Sequence, residues 1–177
     1  AEAFDLLYKQ GKVRDFGVSN QNPMMMELLK KDVKQPLAVN QLQLSAAFTP
    51  GFESAFHVNM EDSQAAMRDG SIFEYCKLHD VVIQAWSVLQ FGYFKGNFVG
   101  NEKFKALNQV LDRLAIKYGV TSSTIAISWI LRYPAKMQAV VGTTNPKHLR
   151  EVSQAANFSL TRKEWYEIYL AAGNNLP

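Results

Sequence analysis

The chain has 177 residues, enough to bury a full hydrophobic core, and reads as one domain over residues 1–177. Its 47% hydrophobic and 20% charged residues give the balance of an ordinary globular protein, and no apolar run approaches the ~20 residues of a membrane span. The net charge of +3 is dispersed apart from pairs such as Lys30-Lys31 and Arg162-Lys163, which argues against a nucleic-acid surface.

In chain order, "AEAFDLLYKQG" puts Phe4, Leu7 and Tyr8 on one helical face and stops at Gly11. Acidic residues interrupt this opening and no long apolar core follows, so it does not read as a signal peptide; the expected location is the cytoplasm. Residues 13–18 have strand character, and "SNQNPMMMELLKK" then offers Asn22 as N-cap with Pro23 at the first helical position. A second strand over residues 37–42 runs into two amides, Asn40 and Gln41. Residues 48–62, "FTPGFESAFHVNMED", combine glycine and proline breakers with little period and are expected to form a functional or disordered loop, with Phe48, Phe52 and Phe56 either as an apolar wall or as pins that hold the loop.

"SIFEYCKLHD" places Ile72, Phe73, Cys76 and Leu78 to pack inward. Cys76 is the single cysteine, which leaves no disulfide framework and no thiolate metal cluster, and its apolar neighbours make it a core residue. His57 and His79 lack a metal-binding context, and His79-Asp80 reads as helix-end chemistry. A third strand is expected over residues 81–85. "KFKALNQVLDRLAIKYG" is the clearest amphipathic helix, with Phe104, Leu107, Val110, Leu111, Leu114 and Ile116 inward and a stop at Gly119. "TSSTIAISWILRYP" is apolar almost all round. A fourth strand over residues 138–141 precedes "NPKHLREVSQAA", where Asn145 and Pro146 repeat the Asn-Pro start. The last helix opens with a capping box from Thr161 to Glu164 and stops at Gly173.

Strands alternating with helices predict a parallel sheet in an α/β fold, whose ligands bind beyond the carboxyl ends of the strands. Those ends carry Ser19-Asn20, Asn40-Gln41, Trp86-Ser87 and Gly142-Thr143-Thr144-Asn145. Asn and Gln side chains present both donors and acceptors, which suits a primary amide. Trp86 offers a flat face for an aromatic ring. The "GTTNP" turn opens a helix whose N–H groups and dipole favour an anion such as a phosphate. An amide-bearing ring at one end and a phosphate at the other describe a nicotinamide dinucleotide. Each part alone also has a plain structural reading: turn and cap chemistry for Ser19-Asn20 and "GTTNP", and core packing for Trp86. Gln41 is the hardest to place that way, because burying an unpartnered amide costs roughly 1–3 kcal/mol.

Together, "GKVRDFGVSN", "VNQLQLS", "IQAWSVL", "VVGTTNPKHLREV" and "TRKEWYEIYLAAG" resemble the second half of the aldo-keto reductases, in order and over nearly the whole chain. The resemblance implies four parallel strands with helices, the C-terminal half of a (β/α)8 TIM barrel, and binding of NADPH or NADH. By the resemblance, Ser19, Asn20 and Gln41 hold the nicotinamide carboxamide, Trp86 stacks on the ring, and Ser87, Val88 and Leu89 line the pyrophosphate path, which Lys95 also reaches. Gly142, Thr143, Thr144 and His148 fall where the family grips the adenosine 2′-phosphate, and Glu151 where it contacts adenine. The sequence departs from the family's frequent proline at Val88, asparagine at Val152 and arginine or glutamine at His148.

The family's tyrosine, lysine, aspartate and histidine lie on the preceding strands, and nothing here matches their motifs, so the resemblance implies no catalytic residue in this chain. The chain is therefore expected to be a fragment whose partners are the missing N-terminal half of the barrel and a small carbonyl substrate, without nucleic acid or membrane. A non-catalytic nucleotide-binding module of the same fold is the alternative. An unrelated phosphate-binding α/β domain explains "GTTNP" but neither the amides nor Trp86.

Overall fold

The computed structural model describes residues 1–56, 63, 70–92 and 94–176. The chain alternates as α1 (Glu2–Lys9), β1 (Phe16–Ser19), α2 (Pro23–Lys30), β2 (Leu37–Gln43), α3 (Pro50–Phe56), α4 (Ile72–Leu78), β3 (Val82–Trp86), α5 (Lys105–Tyr118), α6 (Ser122–Leu131), β4 (Met137–Ala139), α7 (Pro146–Ser153) and α8 (Arg162–Ala171). The strands form one parallel sheet in the order β1-β2-β3-β4. This is the expected parallel α/β sheet.

Local signals set most element starts. Asn22 caps α2 by accepting from the Met25 N–H, with Pro23 at the first position where its missing N–H costs nothing. Asn145 does the same for α7 through Lys147 N–H. Gly119 ends α5 in the left-handed region at φ 67°, where a Cβ would be strained. Both halves of the capping box of α8 are present.

Strand limits differ from the expectation. The first strand starts at Phe16 rather than at residue 13, and the fourth covers Met137–Ala139 rather than 138–141, although Val140 N–H still donates to Ala85 O at 2.8 Å. The second runs on to Gln43, so Asn40 and Gln41 lie inside it. Residues 50–56, read as loop, form α3: Pro50 and Gly51 looked like breakers, yet proline is favoured in a first helical turn. His57 and the rest of that expected loop, 58–62, lie outside the described residues.

Alternation sorts the sheet into two faces. Leu42, Ile83 and Ala85 point into the core with Met26, Phe73, Cys76, Leu107 and Leu111. Asn40 shares this face, fully buried, where its amide donates to Gln21 O at 2.8 Å and fastens the loop after β1. The opposite face carries Gly17, Ser19, Val39, Gln41, Gln84 and Gln138, all half-buried or exposed. On this face Gly17 is required by the approach of β2, since a Cβ there would lie 2.8 Å from Val39 Cβ.

Other inward expectations shift by one helical position. Leu78 and Ile116 are exposed, whereas Ala115 is buried beside Leu111 and Leu114. Tyr8 is exposed, and Phe4 stacks on Phe16 at 4.3 Å. Phe52 is wholly buried, stacked on Tyr133 at 5.1 Å, so it belongs to the core rather than to a cavity wall. Cys76 is also wholly buried, and burial pushes its thiol up to about 11, as a core residue requires. Among the described residues no single helix is long and apolar enough to cross a membrane, and no cluster of side chains could hold a metal ion.

Glu164, nearly buried at the start of α8, accepts from Lys117 Nζ (2.5 Å), Tyr118 Oη (2.8 Å), and the N–H and Oγ1–H of Thr161 (both 2.8 Å). Burial raises its pKa, but the hydrogen bonds from Lys117, Thr161 and Tyr118 outweigh it and hold the carboxyl at about 2, below the ordinary 4.5. A depressed carboxylate stabilises the fold fully above its unfolded value and loses that contribution as pH falls toward the folded one. Lys117 is half exposed, so screening reduces the contribution to about 1–2 kcal/mol. The melting-temperature gap between wild type and Glu164→Gln is therefore expected at pH 7, narrowing between pH 4.5 and pH 2. A gap of constant size down to pH 2 contradicts this account.

Candidate functional site

Because the strands are parallel, their carboxyl ends share one edge, and the following loops meet there. Two of these ends turn through left-handed residues that are not glycine: Asn20 after β1 at φ 52° and Ser87 after β3 at φ 53°. Asn tolerates that region, whereas a serine there is held by its surroundings, and such positions gather at binding sites. Asn20 N–H donates to Gln41 O at 2.9 Å, so the turn is tied to the neighbouring strand.

A cavity of 590 Å³ opens beyond β3 and β4, lined among others by Trp86, Ser87, Val88, Leu89, Gly142, Thr143, His148, Glu151 and Val152. It brings together most of the residues singled out in sequence. A second cavity, 640 Å³, is lined by Trp86 together with Asn20, Gln43, Phe48, Ile72 and Phe73. Phe48 thus does wall a cavity. A groove on the open face of the sheet holds Ser19, Gln41 and Gln84. Trp86, half-buried, is the wall common to both cavities. Two residues stay apart: Lys95 and Thr144 are exposed and line neither cavity.

The turn into α7 is more engaged than the sequence suggested. Thr143 Oγ1 accepts from Asn145 N–H at 3.2 Å, and Asn145 Oδ1 accepts from Lys147 N–H at 2.9 Å. Thr143 lines the cavity, and its hydroxyl, which accepts in this bond, keeps its hydrogen to donate.

Hydrogen bonding also fixes polarity in the groove. Ser19 Oγ donates to Gln41 O at 3.2 Å, so its lone pairs are left to accept. Gln41 Nε2 donates to Gln84 Oε1 at 3.1 Å, and Gln84 Nε2 to Gln138 Oε1 at 2.7 Å. Two of the amide atoms that are buried with no hydrogen-bond partner among the described residues are Gln43 Nε2 and Gln90 Oε1. Each belongs to a residue lining a cavity walled by Trp86.

Gln43, Gln84, Gln90 and Gln138 escaped the sequence reading, which weighed only strand ends. A signal was present. Gln41-x-Gln43 has the two-residue period of a strand face, and single glutamines also interrupt the apolar runs of β3 and β4. Which face they share follows only from register.

The architecture is that of a parallel α/β protein with its candidate binding edge at the carboxyl ends of the strands. The sequence pattern of the Aldo/keto reductase family matches residues 1–171, and the chain belongs to that family. It is 29% identical over 172 residues to a 6-dehydroglucose reductase of Agrobacterium fabrum, covering 97% of this chain and 50% of that protein. It is 28% identical to the oxidoreductase YdhF of Escherichia coli, covering 100% of this chain and 53% of that protein. Among solved structures, a thermostable aldo-keto reductase in complex with the inhibitor epalrestat superposes with a TM-score of 0.69 at 24% identity, over 96% of this chain and 53% of the other. An aldo-keto reductase from a deep-sea metagenome library gives 0.66 at 22%, over 99% and 54%. Likeness at these identities bears on the fold alone. The chain spans about half the length of the curated relatives it matches.

Proposed function

We propose that this chain forms the dinucleotide-binding half of an NAD(P)H-dependent reductase of aldehydes or ketones, built as part of a (β/α)8 barrel. The observation that carries the reading is the cavity walled by Trp86 and lined by Ser87, Val88, Leu89, Gly142, Thr143, His148 and Glu151, next to a groove of amide and hydroxyl groups. The donor set suits the cofactor. Ser19 Oγ and Gln41 Oε1 are two acceptors for the two hydrogens of a carboxamide, and Asn20 supplies an amide at the same edge.

When bound, the reduced nicotinamide supplies the hydride for the carbonyl carbon. The chain's own residues bind and orient. Trp86 presents an aromatic face that limits the ring's tilt, Ser19 and Gln41 fix its rotation, and Thr143 and His148, in the lining of the Trp86 cavity, are assigned to a phosphate group. Proton donation is assigned to the family's tyrosine, for which this sequence has no matching motif. Lys95 and Thr144 are assigned to the phosphate region by the resemblance alone.

The test is titration of the protein with NADPH and NADH, followed by fluorescence, together with cofactor oxidation in the presence of a reactive aldehyde. Binding with turnover by the full-length protein supports the reductase. Binding without turnover favours a nucleotide-binding module of the same fold. No binding of either dinucleotide overturns the reading.

A further inference from the structure

Three glutamines stand side by side on the open face of the sheet, one from each of β2, β3 and β4. The register pairs Gln41 with Gln84 and Gln84 with Gln138, and Ser19 with Gln41 on the other side. Their amides form a directional chain: Gln41 Nε2 donates to Gln84 Oε1, and Gln84 Nε2 donates to Gln138 Oε1.

An isolated glutamine at the position of Gln41 presents its oxygen and its nitrogen to a ligand about equally, because rotation by half a turn exchanges them. The neighbour removes that freedom. For Gln41 to turn round, its oxygen would meet the oxygen of Gln84, unless Gln84 and Gln138 turned as well. In the observed sense Gln41 Nε2 points along the row and Gln41 Oε1 is left to accept, and reversing it requires three amides to turn together rather than one. Ser19 is biased the same way, since its hydroxyl hydrogen is used on Gln41 O.

We infer that Gln84 and Gln138 are positioning residues that set the polarity of Gln41, so that the groove selects a primary carboxamide over a ring substituent of the same shape without N–H donors. The inference rests on the reading of Ser19 and Gln41 as carboxamide ligands. Neither Gln84 nor Gln138 is required to touch the ligand.

The experiment compares the dissociation constants of the oxidised dinucleotide and its 3-acetylpyridine analogue, in which a methyl group replaces the amide NH2. Wild type is expected to prefer the carboxamide by roughly fivefold, about one hydrogen bond's contribution. In Gln84→Leu the acceptor is gone, Gln41 rotates freely, and the preference is expected to fall to about unity. Gln84→Glu keeps an acceptor for Gln41 Nε2 and is expected to retain the preference. Gln138→Leu, at an exposed position with no core to disturb, is expected to shift the ratio in the same direction as Gln84→Leu. A preference unchanged in both leucine variants overturns the relay while leaving dinucleotide binding intact. A preference lost equally in Gln84→Leu and Gln84→Glu also overturns it. Failure of wild type to bind the natural dinucleotide overturns the underlying reading of the site.

Discussion

Replacing Trp86 by alanine is expected to weaken nicotinamide dinucleotide binding by about tenfold or more. The indole is half-buried and forms the wall shared by the two cavities at the carboxyl edge. Truncation removes the stacking face, worth roughly 0.5–1.5 kcal/mol beyond area burial, and leaves a gap in the lining of both cavities. The loss of apolar contact area around a bound ring adds to this. Because Trp86 lies on the less buried face of the sheet, the fold should survive, and a thermal melt distinguishes lost affinity from lost structure. Unchanged NADPH affinity by fluorescence titration would show that Trp86 is only part of the wall.

Trp129→Ala is expected to destabilise the fold by about 3–5 kcal/mol, the range for large core truncations. Trp129 is 1% exposed on α6 and stacks on Trp165 of α8 with centroids 4.9 Å apart and planes 9° off parallel. Each indole also donates to the other residue's carbonyl at 3.1 Å, so the pair joins the two helices by stacking and by two hydrogen bonds. Alanine leaves a void beside Phe52 and removes the indole bond to Trp165 O that ties α6 to α8. Against a typical domain stability of roughly 5–15 kcal/mol, such a loss removes much of the margin. Urea denaturation measures it. A difference below about 1 kcal/mol would mean that the aromatic cluster collapses to fill the site.

Much of the architecture was legible because its signals act within a few residues. Asn22 with Pro23, Asn145 with Pro146, the box from Thr161 to Glu164 and the left-handed Gly119 are hydrogen-bonding or backbone preferences settled inside one turn. The alternation of short β runs with amphipathic helices then implied the parallel sheet. The short helix α3 was not legible: seven residues carry little periodicity, and Pro50-Gly51 reads as a turn until Phe52 is seen buried among Phe73, Trp129, Tyr133 and Trp165.

The faces of the sheet were not legible either. Val18, Val39, Ile83 and Val140 look alike as apolar strand residues, and nothing local to them says which face each one takes. Ile83 is wholly buried in the core and Val18 packs against it, while Val39 lies with Gly17 and Gln41 on the opposite face and Val140 is exposed. Period-two alternation says which residues share a side within one strand, but the side itself is chosen by the helices that pack there. Sequence alone therefore determined the order of elements other than α3, most of their caps and the polar character of the carboxyl edge, all of which depend on neighbours in the chain. Tertiary structure decided which side of each strand meets the helices, placed Trp86 in the lining of two cavities, and aligned Gln41, Gln84 and Gln138 in one row. Those outcomes depend on hydrogen bonds between strands more than 40 residues apart, whose register no local pattern encodes.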